Sequence, residues 1–139
     1  MERGEVNGFL EVCGGLLNAG AGEYSARDLA YLGDAVFELL TRSRLLRDGG
    51  GRVDGLTNEA IKCVNAAAQS AMYDKLLPHL TEDETAALKR GRNAFSKSHP
   101  KNASVAEYRR ATGVEALFGY LYVTGRAGRI TELYGICAD

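Results

Sequence analysis

Residues 29–40 read LAYLGDAVFELL, an apolar run carrying one carboxylate, Asp34, near its centre. Leu29, Leu32, Gly33, Val36 and Leu40 follow the three-and-four spacing of a buried helix face. An ionised carboxylate among leucines, valines and aromatics costs several kcal/mol unless a cation, a dense hydrogen-bond network or a raised pKa compensates it. The same oddity recurs at residues 114–123, VEALFGYLYV, where Glu115 stands near the start. Two helices that each carry an acid at a position expected to be apolar point to a cation shared between them. A metal site is therefore the first expectation.

The rest of the chain also reads as helical. Ser25 is a suitable N-cap for the helix of residues 29–40, and Gly49-Gly50-Gly51 ends it. A second helix is expected after Thr57, through Ile61, Val64, Ala68, Ala71 and Met72, with its end pushed towards Leu77 by Pro78. Thr81 to Glu84 is a capping-box pattern opening a short helix towards Arg90. Ser104 to Glu107 is another, opening the long helix that contains Glu115 and stops near Gly125. A last helix covers Ala127 to Cys137, and the stretch Arg92 to Asn102 reads as a loop. The first 22 residues could hold an amphipathic helix through Phe9, Leu10, Val12, Leu16 and Leu17. With no alternating strand pattern, the expected fold is all-α: residues 1–24 as an N-terminal extension and 25–139 as one domain.

A chain of 139 residues has room for one domain with a real core, and 45% hydrophobic with 25% charged residues is the balance of a globular protein. The opening MERGEVNG lacks the pattern of a signal peptide. No apolar stretch approaches the ~20 residues that span a bilayer, so no membrane association is expected. Cys13, Cys63 and Cys137 are odd in number and form no Cys-x-x-Cys pair, which suits free thiols in a reducing cytoplasm. Between Lys89 and Arg110 lie Lys89, Arg90, Arg92, Lys97, Lys101, Arg109 and Arg110 against the single acid Glu107. That is a net +6, leaving −7 for the remainder of a chain whose total is −1. A localised anion-binding surface follows, or more plainly a solvated basic loop.

Helical spacing puts Arg27, Ala30, Tyr31, Glu38 and Thr41 on the side of Asp34. It puts Tyr108, Ala111, Thr112, Phe118, Gly119 and Tyr122 on the side of Glu115. Each mid-helix glycine costs about 1 kcal/mol relative to alanine, so a close crossing near Gly33 and Gly119 would explain both. Two carboxylates on crossing helices suit the hard, oxygen-preferring Mg2+ or Mn2+. A plainer reading pairs Asp34 with Arg27 or Arg110, and Glu38 with Arg42. Other chemistries are weakly supported. His79 and His99 flank prolines, no triad is placed, and Gly91 to Ser98 lacks the second glycine of a phosphate loop. No nucleotide cofactor is expected.

LAYLGDAVFELL resembles the leading motif of ribonuclease III endonuclease domains, and VEALFGYLYVTGR is similar to the family's second acidic helix. LKRGRNAFSKSHPKNASVAEYRRATGVEAL, between and into them, resembles the short Mini-III branch, and the likeness runs from about Leu29 to Gly125. By this resemblance Asp34 and Glu115 are the catalytic, metal-binding acids. Arg27 and Ala30 stand where the larger enzymes have glutamates, and Thr112 where they have an aspartate, which leaves the number of metal ions open.

The resemblance implies a ribonuclease III-like helical bundle without a double-stranded-RNA-binding domain. It would work as a homodimer, with Tyr31 at the dimer contact or in the core, and cut duplex RNA with Mg2+ (or Mn2+) to leave 5′-phosphate and 3′-hydroxyl ends. The implied substrate is the large-subunit (23S) ribosomal RNA precursor. Lys89, Arg90, Arg92, Asn93, Lys97, Lys101, Arg109 and Arg110 would then hold the RNA, whose A-form helix is gripped mainly through phosphates and 2′-hydroxyls. A non-catalytic RNA-binding protein on the same scaffold and a helical dimerising adaptor are the rival readings.

Overall fold

Ser25 opens the first helix as its sequence predicts. Its hydroxyl accepts the Asp28 amide at 3.0 Å, and the Asp28 carboxylate accepts the Ser25 amide at 3.1 Å. Helix α1 then runs Ala26–Arg47 and stops where Gly49 takes a φ of +79°. In this computed structural model the described residues are 13, 16, 17, 23–49, 65–94 and 104–138. Phe9, Leu10 and Val12 of the expected N-terminal helix, the stretch 57–64 with Cys63, and Lys97, His99 and Lys101 lie outside them. Cys13 and Cys137 are free thiols, and burial pushes that of Cys137 up to about 12.

Helix α2, Ala66–Leu76, begins later than expected. Asn65 is extended and its side chain accepts the Ala68 amide at 2.9 Å, so the backbone cannot carry a helix continuously through this point. Its inner face is Gln69, Ser70, Tyr73 and Leu76, while Ala71 is exposed. A short 3-10 turn, Leu77–His79, accommodates Pro78. Both capping boxes form: Thr81 with Glu84 opens α3, Glu82–Asn93, and Ser104 with Glu107 opens α4, Val105–Val123. Arg92 and Asn93 therefore finish a helix, where a loop was expected. Gly91 lets α3 lie close against α4, since a Cβ there would stand 2.5 Å from the Ala116 Cβ and 2.8 Å from the Gly113 Cα. After Gly125, with a φ of +72°, α5 covers Ala127–Ala138.

Helix α4 is the axis of the bundle and packs against the other four helices. It is apolar nearly all round, burying Ala111, Val114, Ala116, Leu117, Phe118 and Leu121, as a helix enclosed by neighbours must be. Phe37 of α1 meets Phe118 and Tyr134 edge to face, with ring centroids 5.5 and 5.3 Å apart. The closest crossing is that of α1 and α4. A Cβ on Gly33 would overlap the Glu115 carbonyl oxygen and stand 2.8 Å from the Gly119 amide nitrogen, and one on Gly119 would overlap the Leu29 carbonyl. The innermost line of α1 is accordingly Leu29, Gly33 and Phe37, with Leu32, Val36 and Leu40 half-buried beside it. All described elements are helical.

A second fastening joins α3 to α5. Glu84 is buried, and Arg129 donates to its two carboxylate oxygens at 2.8 Å each and to the His79 carbonyl at 2.8 Å. The guanidinium holds the Glu84 carboxyl below the ordinary carboxylate range.

Candidate metal centre and its cleft

The crossing that needs Gly33 and Gly119 also brings Asp34 and Glu115 together. Each acid lies one residue or one turn from a contact where backbones nearly touch, so the position of its backbone is fixed by the crossing. Both line an open cleft of about 220 Å³, with Arg27, Ala30 and Tyr31 from α1, Ala94 after α3, and Tyr108 and Thr112 from α4.

The two acids are unequal. Glu115 is half-buried and its carboxyl is pushed up to about 9, first by loss of solvent and then by hydrogen bonding to, and repulsion from, Asp34. Asp34 is exposed, contrary to the expectation that it occupies a core position. The α1 stripe facing α4 passes through Gly33, and Asp34 falls at its rim. Without a cation, the Glu115 carboxyl keeps its proton far above the ordinary carboxylate range. A hard divalent ion is the compensation this donor set accepts: two carboxylates converge, with room left in the cleft for water and substrate oxygens.

Of the plainer pairings, one holds and two fail. Glu38 bonds to Arg42 and does not line the cleft. Among the described residues, neither Asp34 nor Glu115 pairs with Arg27 or Arg110. No group of three His, Cys, Asp or Glu side chains converges among the described residues. Among the described residues, the acids that line the cleft are these two.

The basic segment divides. Lys89, Arg90 and Asn93 are exposed on the last turns of α3, which ends beside the cleft at Ala94, and Arg109 and Arg110 are exposed on the first turns of α4. Arg92 is half-buried. It donates to the Tyr73 hydroxyl at 2.9 Å and to the Asn93 side chain at 3.1 Å, a fastening between α2 and α3 that composition did not reveal. Thr112, where an acid was missing, turns its hydroxyl back to the Tyr108 carbonyl at 2.9 Å. Ala94 was not anticipated as a cleft residue, since only the helix packing brings the end of α3 to it.

A family model described as the ribonuclease III domain matches residues 27–126. The chain is 49% identical over 111 residues to Mini-ribonuclease 3 of Symbiobacterium thermophilum, covering 80% of this chain and 85% of that one. It is 38% identical over 126 residues to Mini-ribonuclease 3 of a Thermoanaerobacter species, covering 91% and 89%. Its fold is similar to the crystal structure of protein FN1578 from Fusobacterium nucleatum, with a TM-score of 0.76 and 34% identity over 82% of this chain and 91% of that one. Asp34, Glu115 and every other residue lining the cleft fall within the matched span.

Proposed function

Because this chain belongs to the ribonuclease III family, in its Mini-ribonuclease 3 branch, and is an endoribonuclease of that type, we propose that it cuts double-stranded RNA at the Asp34–Glu115 cleft with Mg2+, or Mn2+ in its place. The observation that carries this reading is the meeting of the two acids, neither of which forms an ion pair among the described residues. Asp34 and Glu115 would hold the ion. The chemistry such an ion supplies is a lowered pKa for a water and stabilisation of the charge that develops on the phosphodiester. Glu115, desolvated by the α1–α4 crossing, fixes the inner side of the site, and exposed Asp34 faces the substrate. The products are a 5′-phosphate and a 3′-hydroxyl.

The exposed Lys89, Arg90, Asn93, Arg109 and Arg110 suit the phosphates of a duplex, with Lys97 and Lys101 in the same basic segment. Counterion release then makes binding weaken steeply with salt. A homodimer, each protomer cutting one strand, is supported by the outer face of α1. Tyr31, Leu39 and Leu46 are 81%, 56% and 66% exposed along α1, large apolar side chains of the kind a second copy covers. Tyr31 thus belongs to this face and the cleft edge, and the core reading of it falls away. The substrate we propose is the 23S ribosomal RNA precursor in the cytoplasm.

The test is incubation of a 23S precursor transcript with the protein, with Mg2+ or with EDTA, and mapping of the ends. Metal-dependent cuts at the mature termini are expected, and Asp34→Asn should abolish them while the melting curve and dimer persist. Binding without strand breaks under all metal conditions would favour the non-catalytic reading, and normal cutting by the variant would remove Asp34 from the site.

A further inference from the structure

Arg27 enters the cleft from the first turn of α1, on the same face as Tyr31 and Asp34. Most other described arginines near acids or rings have a partner. Arg42 binds Glu38, Arg47 binds Asp48, Arg129 binds Glu84, and Arg126 lies over the Tyr120 ring. Arg27 lines a cleft with two carboxylates, is exposed, and among the described residues forms an ion pair with neither. It is two turns from Asp34, about 10 Å along the helix axis. The cleft therefore has an acidic end at the α1–α4 crossing and a cationic end at the start of α1, with the Tyr31 side chain between them.

Resting on the nuclease reading, we propose that Arg27 is a substrate-positioning residue that grips a backbone phosphate of the RNA strand being cut. A strand whose reacting phosphorus sits at the acids carries its neighbouring phosphates along the cleft, and the planar guanidinium fork matches two non-bridging phosphate oxygens. Its charge also offsets the repulsion between the acidic end and an incoming polyanion. Arg27 thus works through the position of the substrate, and its removal weakens binding before it slows the chemical step.

The test uses the full chain and an end-labelled RNA duplex, with affinity measured in EDTA across a series of KCl concentrations for Arg27→Lys, Arg27→Gln and Arg27→Glu, and with Arg47→Gln as a control on the far end of α1. Loss of one charge-assisted contact should raise Kd about tenfold for the glutamine variant. The lysine variant should lose less and the glutamate variant more. The salt dependence should flatten by about one ion per protomer engaged. In Mg2+, KM should follow Kd while kcat changes less than about threefold, and exposed Arg27 leaves the melting temperature unchanged. Glutamine and glutamate variants with the Kd and salt slope of the unaltered chain would overturn the assignment while leaving the nuclease reading intact. Failure of the unaltered chain to bind or cut any duplex would overturn both.

Discussion

Glu84 and Glu115 are both carboxylates withdrawn from solvent, on neighbouring helices of one small bundle, and their surroundings push them in opposite directions. Glu84 is gripped by Arg129 through both oxygens and held below its ordinary pKa. Glu115 is pushed up to about 9, by burial first and then by the neighbouring acid Asp34. The fold is thus able to neutralise a withdrawn carboxylate when the carboxylate serves the fold, and does so between α3 and α5. At the α1–α4 crossing, among the described residues, it provides no such ion pair. If the pair takes a metal ion, as proposed, it draws its compensation from outside the fold, and without the ion the Glu115 carboxyl stays protonated far above the ordinary carboxylate range.

The larger break in this comparison is at the satisfied pair. Glu84→Gln keeps the shape but leaves Arg129 without its bidentate acceptor, and breaking such a pair costs about 3 kcal/mol. Urea unfolding at neutral pH should show this loss, with cleavage unchanged at temperatures where the variant is folded. The Glu84 carboxyl is lowered in the folded state, so its contribution is present above the ordinary value of 4.5 and disappears as pH falls through the lower folded value. The gap between variant and unaltered chain should accordingly shrink on acidification. A gap that stays constant down to pH 3 would show that the Glu84 charge is not what binds α3 to α5.

At the unsatisfied pair the sign reverses. A carboxyl raised from 4.5 to about 9 keeps its proton in the fold after the unfolded chain has lost it, so the metal-free protein loses stability as pH rises from 4.5 towards 9. Glu115→Gln, which has no proton to lose, should therefore be more stable than the unaltered chain in EDTA at pH 8, by on the order of 2 kcal/mol, and indistinguishable from it at pH 4.5. Mg2+ should narrow the difference by stabilising only the chain that has the carboxylate. The same variant should be inactive. Thermal melts in EDTA and Mg2+ at the two pH values decide it, and a variant less stable than its parent at pH 8 would mean that Glu115 is tied down by contacts of its own.

How much of this was legible beforehand depends on whether the physics is local. The Ser25 N-cap and the capping boxes at Thr81 and Ser104 form because a hydroxyl and a carboxylate three residues apart need no tertiary partner. The Gly33–Gly119 crossing was legible as two costly mid-helix glycines, each with one plausible explanation. The acid pair was legible because polar residues in apolar runs are anomalies. Arg92 and Arg129 were not: an arginine in a basic segment looks the same whether it meets solvent or, like Arg92, a tyrosine 19 residues away. Asn65 likewise hid a helix start inside a stretch whose apolar spacing suggested continuity. Asp34 was placed too deep because a run of hydrophobic residues fixes a helix face only to within the width of one side chain.

The smallest expected effect bounds the site itself. Glu38 lies one turn from Asp34 and would extend the acid pair to three if its side chain turned towards the cleft. It bonds instead to Arg42, with 36% of its own side chain and 64% of its partner's exposed. An exposed i,i+4 pair of this kind contributes about 0.3–0.5 kcal/mol. Glu38→Gln should thus shift the midpoint of urea unfolding barely beyond error, and should leave both the Mg2+ concentration for half-maximal cleavage and the rate at saturation within about twofold, the change that 0.4 kcal/mol makes in an equilibrium constant. If instead the Mg2+ requirement rose tenfold, the Glu38–Arg42 bond must open when metal binds. The contrast with Glu84 would then have a third member, a carboxylate paired at rest and released for the ion. An unchanged requirement keeps the site at two acids, Asp34 and Glu115, and leaves the Glu38–Arg42 pair as a surface contact of α1 alone.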